Sequence, residues 1–216
     1  MAACKCATVH EPRRVVLTGG PGAGKTATLE MIKHAFCDHI RVAPEAASVV
    51  FGGGFPRIAS AEGHVAAQRA IFFVQREMEA ALESEHPAIL LCDRGTVDGA
   101  AYWPGPGDLW SAVGTTRAQE MARYQAVIHL RTPSAEGGYN HANRLRTETA
   151  AEAAALDARI IDAWDGHPHR VVVPNATAFV AKAARVLELI RAELPECCKG
   201  HLSALGPGPQ ALGLRS

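Results

Sequence analysis

The chain has 216 residues, 48% hydrophobic and 20% charged, enough for one well-buried core and too little for two large ones. Twenty-two basic residues balance 22 acidic ones, which removes the electrostatic case for coating nucleic acid or an anionic membrane but leaves room for a local basic pocket holding a small anion. No apolar stretch approaches a membrane span, and "MAACKCATVHEP" lacks the basic-then-apolar order of a signal peptide, so a soluble cytoplasmic protein is expected.

Residues 1–12 read as a flexible start. The run "RVVLT" at 14–18 is short, β-branched and apolar, a strand buried on both faces. A helix pattern follows over 26–37, with Leu29, Ile32 and Phe36 at helical spacing. A weaker strand, "IRVA", covers 40–43. The glycine-rich "FGGGFPR" at 51–57 is too rich in turn residues for a plain connector. Residues 61–83 carry a long mixed apolar stripe that predicts a helix. Strand "AILLC" at 88–92 comes next. The "TRAQ" of Thr116 to Gln119 has the form of a capping box opening a short helix, and strand "AVIHL" at 126–130 follows. A second glycine-rich segment covers 132–148. "TAAE" from Thr149 repeats the capping signal for a helix running to Trp164. Strand "RVVV" at 170–173 and an amphipathic helix from Phe179 to Leu194 close the pattern. Pro195 ends it, and 196–216 reads as a flexible tail. Strands alternating with helices imply βαβ crossovers and a parallel sheet covered on both faces, in one domain over 13–195.

The stretch between the first strand and first helix, Gly19-x-x-x-x-Gly24-Lys25-Thr26, is a complete phosphate-loop pattern in its required context. Gly20, Gly22, Ala23, Gly24 and Ala27 belong to the same candidate nucleotide cradle. Glycines let main-chain N–H groups wrap a phosphate closely, and the helix beginning at Lys25 adds its positive end. Lys25 would reach the β- and γ-phosphates of ATP or GTP, and Thr26 would offer its hydroxyl to Mg²⁺. In a parallel sheet the residues after each strand surround the ligand. Asp93 then reads as a second Mg²⁺ anchor, or as a turn opener. Glu45 reads as a general base toward an acceptor hydroxyl, or as a charge satisfying a helix start. Arg144 and Arg146 suit a lid over the transferring phosphoryl group, or a solvated helix start. Asn175 follows the last strand, where a purine base could pack, on position alone. Arg57, His64, Gln68, Asp98, Tyr102 and Trp103 are acceptor-side candidates; the aromatics could equally form a structural corner.

Six cysteines occur. In a reducing compartment they read as free thiols, with Cys92 a core residue. Cys4, Cys6, Cys197 and Cys198 could gather zinc if the termini met, although C-x-C and C-C are not the usual C-x-x-C pairs.

The stretches "RVVLTGGPGAGKTATLEMI", "VAPEAASVV", "CDRGTVDGAAYWPG" and "ARYQAVIHLRTP…NRLRTETA" together resemble the small AAA-domain-labelled ATPases related to nicotinamide-riboside-kinase-like proteins, over roughly residues 13–194. The wider group is similar to deoxyribonucleoside and nucleoside-monophosphate kinases. This resemblance implies a P-loop three-layer α/β fold with a five-stranded parallel sheet ordered 2-3-1-4-5, MgATP at the phosphate loop, and an acceptor pocket beneath the lid. It makes Glu45 a more attractive base and Arg94 a phosphate contact. The chain departs from guanine-specific and motor relatives: it has no Asn/Thr-Lys-x-Asp guanine reader, and no room for a helical lid domain. The expected activity is transfer of a γ-phosphoryl group to a small nucleoside-like acceptor. The alternative is a regulatory nucleotide switch acting on a protein partner. A homodimer is a further candidate state.

Overall fold

A computed structural model describes residues 6–133, 149–175 and 178–199. Five strands form one parallel sheet: β1 (Arg13–Thr18), β2 (Ile40–Ala43), β3 (Ile89–Asp93), β4 (Ala126–Leu130) and β5 (Arg170–Val173). Their order is β2-β3-β1-β4-β5, as the resemblance implied. The register sets Leu17 beside Asp93 on one side and beside Ile128 on the other, so β1 lies at the centre of the sheet.

The apolar runs of β1, β3 and β4 are buried on both faces because helices cover both, whereas Val171 and Val172 of the edge strand β5 are 38% and 40% exposed. On one face α1 (Lys25–Ala35) and α7 (Phe179–Glu193) bring Leu29, Ile32, Val186 and Ile190 onto Val15, Leu17, Leu91 and Ile128. On the other, α6 (Ala150–Ala163) brings Leu156 and Ile160, with Trp164 just beyond, onto Val16, Leu90 and Val127. Alternation along β1 therefore splits its side chains between two cores. Both expected capping boxes form: Thr116 opens α5 (Arg117–Ala122) and Thr149 opens α6. The long helix α3 (Ala61–Glu83) has the bounds its stripe predicted, with Ser60 accepting a hydrogen bond from the Gly63 amide.

Several elements carry too few residues for periodicity to reveal. The segment 51–57 is partly helical, since α2 spans Ala46–Gly52. A 3₁₀ helix (Thr96–Tyr102) and α4 (Leu109–Val113) occupy the stretch after β3. Within the stretch expected as a tail, α8 (Glu196–Lys199) is a helical turn that buries Cys198, and residues 200–216 lie outside the described residues. Within the stretch expected as a flexible start, His10 is 8% exposed.

Candidate functional site

The phosphate loop leaves β1 at Thr18 and enters α1 at Lys25. Its glycines answer to contacts. Gly19 has φ 136°, and a side chain there would meet the Leu130 carbonyl at 2.1 Å. Gly24 has φ 92°, and a Cβ would meet the Phe179 ring at 2.8 Å. The Lys25 ammonium lies along the loop, donating to the carbonyls of Gly19 (2.7 Å) and Gly20 (3.1 Å). Burial, reinforced by the charge of Arg94, pulls its amine down to about 7, against the opposing pull of Asp93 and Glu45. Thr26 and Ala27 are exposed at the mouth, so the Thr26 hydroxyl is open to a solvent cation; Ala23 is buried beneath.

The end of β3 supplies the facing acid. Asp93 Oδ1 is buried with no hydrogen-bond partner. Burial lifts its carboxyl to about 6, partly offset by Lys25. A buried, unpartnered carboxylate oxygen is a donor suited to a hard, hydrated cation such as Mg²⁺.

Arg94 follows in the left-handed backbone region, φ 71°. Its Nε donates to Glu45 Oε1 at 2.7 Å and its Nη1 to Asp98 Oδ1 at 3.2 Å, while the guanidinium sits 5.5 Å from the Tyr102 ring centroid. Burial opposes its charge, but Tyr102, Asp98 and Glu45 together hold the guanidinium firmly protonated. Glu45 caps the start of α2 and also accepts from the Ser48 hydroxyl at 2.6 Å. Burial works against its ionisation, yet Arg94 and Ser48 hold its carboxyl below the usual range. Glu45 is thus a carboxylate at neutral pH; it is the N-cap residue of α2, where its side chain makes no cap hydrogen bond and is held by Arg94 and Ser48 instead.

Beside the loop is a cavity of about 410 Å³, reaching from Pro21 to the face of α3. It is lined by Glu45, Arg57, Gln68, Arg94, Asp98 and Tyr102, with Phe51, Ile71 and Phe72 as apolar wall. Arg57 stacks on the Phe51 ring at 3.8 Å. Five sequence-chosen residues (Glu45, Arg57, Gln68, Asp98 and Tyr102) therefore share one concavity. Asp98 is the most constrained of them. It is 2% exposed and accepts from the Thr18 hydroxyl, the Gly95 amide (3.0 Å) and Trp164 Nε1 (3.0 Å) as well as Arg94. Its contribution is to hold Arg94, since its oxygens are engaged by the protein. His64 is exposed on α3 outside this cavity, and Trp103 lies outside it with a buried, unpaired indole N–H. Asn175 is exposed beyond β5. Arg144 and Arg146, with most of the expected lid, lie outside the described residues.

Sequence reasoning missed the buttress under the loop. Asp157 of α6 is 1% exposed. It accepts from the Gly20 amide (2.9 Å), His129 Nε2 (2.8 Å) and the Thr132 amide (3.3 Å), and forms an ion pair with Arg131, whose Nε lies 2.9 Å away. Lys182 of α7 donates to the Ala23 carbonyl at 2.9 Å, and burial draws its amine down to about 8 against the pull of Asp157. The only sequence signal was a charge inside the apolar stripe of each helix. Gln75, in the wall of the acceptor cavity, donates to the Arg94 carbonyl (3.3 Å) and to buried Glu79 (2.8 Å), supporting the left-handed backbone of Arg94.

A family model described as AAA domain matches residues 14–181. Among solved structures, the thymidylate kinase of Candida albicans superposes with a TM-score of 0.55 at 11% identity, over 86% of this chain and 93% of that one. At that identity the likeness shows a P-loop kinase fold and no more. No curated protein matches the sequence.

Proposed function

Since this chain belongs to the AAA-domain family, with a P-loop kinase fold, we propose that it is an ATP-dependent phosphotransferase acting on a small, nucleoside-like acceptor. The observation that carries this reading is the 410 Å³ cavity beside the phosphate loop, with a carboxylate and an arginine at their junction. That volume suits a nucleoside-sized molecule. A nucleotide switch would need the loop and not the cavity.

The loop amides, Lys25 and the start of α1 bind the triphosphate. Thr26 and Asp93 would hold Mg²⁺, which supplies charge neutralisation on the phosphate oxygens. Arg57, Gln68 and Tyr102 orient the acceptor, the Phe51–Arg57 pair giving a planar surface for a ring. Glu45 takes the proton of the acceptor hydroxyl as its oxygen forms a bond to the γ-phosphorus and the bond to the β-phosphate oxygen breaks. Arg94, held between Glu45 and Asp98, keeps the base ionised and adds positive charge where the phosphoryl group passes. Phosphoryl transfer through a loose transition state asks chiefly for such positioning and charge. Arg144 and Arg146 are proposed to close over the same group.

The test is a screen of nucleosides, nucleoside monophosphates and hydroxylated metabolites for acceptor-dependent ADP release. At least one acceptor should raise release well above the acceptor-free rate. The Glu45→Gln variant should lose that increment while keeping nucleotide-dependent thermal stabilisation. Nucleotide binding with no acceptor response from any class would overturn the phosphotransferase reading.

A further inference from the structure

At the opposite end of the sheet, four residues from three parts of the chain converge. Cys6 and His10 precede β1, His39 is the last residue before β2, and Cys198 lies in α8. Residues 6–10 and Cys198 do meet, as a zinc site required, but the partners differ from the all-cysteine set that the sequence suggested. Cys4 lies outside the described residues and Cys197 is exposed, while two histidines take their places.

The distances are those of ligands around a common centre. His10 Nε2 lies 3.8 Å from Cys6 Sγ and 3.6 Å from Cys198 Sγ, and His39 Nδ1 lies 3.3 Å from Cys198 Sγ. The four ligand atoms all fall within 4.8 Å of one another. A tetrahedral Zn²⁺ with its usual bond lengths would separate sulfur from nitrogen by about 3.6 Å and sulfur from sulfur by about 3.8 Å. The imidazoles meet edge to face, centroids 4.9 Å apart at 73°, as two rings aimed at one point do. His39 is anchored, since its carbonyl accepts from the Ala88 (2.8 Å) and Ile89 (3.1 Å) amides at the start of β3. His10 and Cys198 are buried, and Cys6 and His39 are partly so.

We propose that Cys6, His10, His39 and Cys198 form a structural Zn²⁺ site. Two thiolates and two imidazoles in a tetrahedral set select zinc over Mg²⁺ or Ca²⁺. The two thiol protons leave on binding, so the occupied site carries no net charge. Four protein ligands leave no open position for a substrate, which makes the ion a clip rather than a catalyst. It joins the segment before β1, the turn before β2 and the C-terminal helix, closing a loop from residue 6 to residue 198. The phosphate loop is at the other end of β1, so this site is independent of the proposed transferase.

The experiment uses the full chain, reduced, loaded with Zn²⁺, desalted and analysed by elemental mass spectrometry. One zinc per chain is expected for the wild type and for Cys197→Ser and Lys25→Ala. Cys198→Ser and His39→Ala should retain none after desalting. Co²⁺ in place of zinc should give the intense visible bands of a tetrahedral site and a thiolate-to-cobalt charge-transfer band, which His39→Ala weakens. A reduced wild type that retains no zinc would overturn the proposal, whatever the variants do. So would unchanged stoichiometry in folded His39→Ala, or a Cys6–Cys198 disulfide that persists under reductant in place of metal.

Discussion

Asp157→Ala tests whether the loop is held from beneath. The substitution takes an acceptor from two buried main-chain amides, Gly20 and Thr132, and from a fully buried imidazole, His129. Arg131 is 45% exposed at its side chain, so its ion pair adds little. Breaking a buried, hydrogen-bonded charge of this kind costs about 3–5 kcal/mol. For a chain of this size that is a fall of about 6–20 °C in Tm. Thermal unfolding of Asp157→Ala beside Thr149→Ala separates the effect from helix α6 itself, because losing the cap costs only about 1 kcal/mol. The acid limb gives a second readout. Burial works against the Asp157 charge, but His129 and the Gly20 amide hold its pKa below the ordinary 3.8. Its stabilising contribution is complete above that value and disappears as pH falls through the lower folded-state one. Asp157→Asn, which cannot titrate, should therefore lose less stability on acidification than the wild type does. An alanine variant melting no lower than Thr149→Ala would refute the buttress.

Lys25→Ala should fold and lose the nucleotide-dependent rise in Tm; differential scanning fluorimetry with ATP decides it, and an unchanged rise would remove the phosphate-loop assignment. Gly19→Ala forces a methyl group against the Leu130 carbonyl and should cost more than about 2 kcal/mol, read by chemical denaturation. Because the free Lys25 amine lies near 7 and a bound polyphosphate favours its charged form, ATP binding at pH 8 should take up protons. Calorimetry in two buffers of different ionisation enthalpy checks the sign, and equal enthalpies would contradict it.

β1, β3 and β4 were legible because they are buried on both faces, where a continuous apolar run admits few other readings, and the edge strand β5 because its three valines are β-branched, although Val171 and Val172 are exposed. β4, β5 and α3 carry the bounds their patterns predicted. The phosphate loop was legible because glycine positions and their flanking elements agree. Asp157 and Lys182 were not, since a single charge in an apolar stripe reads as an interruption until tertiary contact supplies its partners. The Cys6–His10–His39–Cys198 cluster was half legible: cysteine counting brought the termini together, but His39 lies at a strand start remote in sequence from both. The elements between β3 and α5 escaped because stretches of five and seven residues do not complete two turns at the α-helical period.

The charges around the loop bear on how one site could hold both the proposed base and a triphosphate. Burial pushes Lys25 toward the neutral amine and Asp93 toward the neutral acid, so the free pocket reduces the charge it must desolvate. Arg94 is the exception, since its carboxylate partners keep it charged under all ordinary conditions. Those partners are the group proposed as base and the group that positions the arginine. Their charges are offset by Arg94, and it is Lys25 and Asp93 that answer to an arriving polyphosphate and cation, the first by gaining a proton and the second by losing one. Above pH 7 Asp93 is already mostly ionised, so the lysine dominates and uptake is the expected sign; near pH 6 the loss from Asp93 opposes it. A pocket whose ionisable groups were all fixed by internal pairs would show neither change, and would have no charge held in reserve for a ligand.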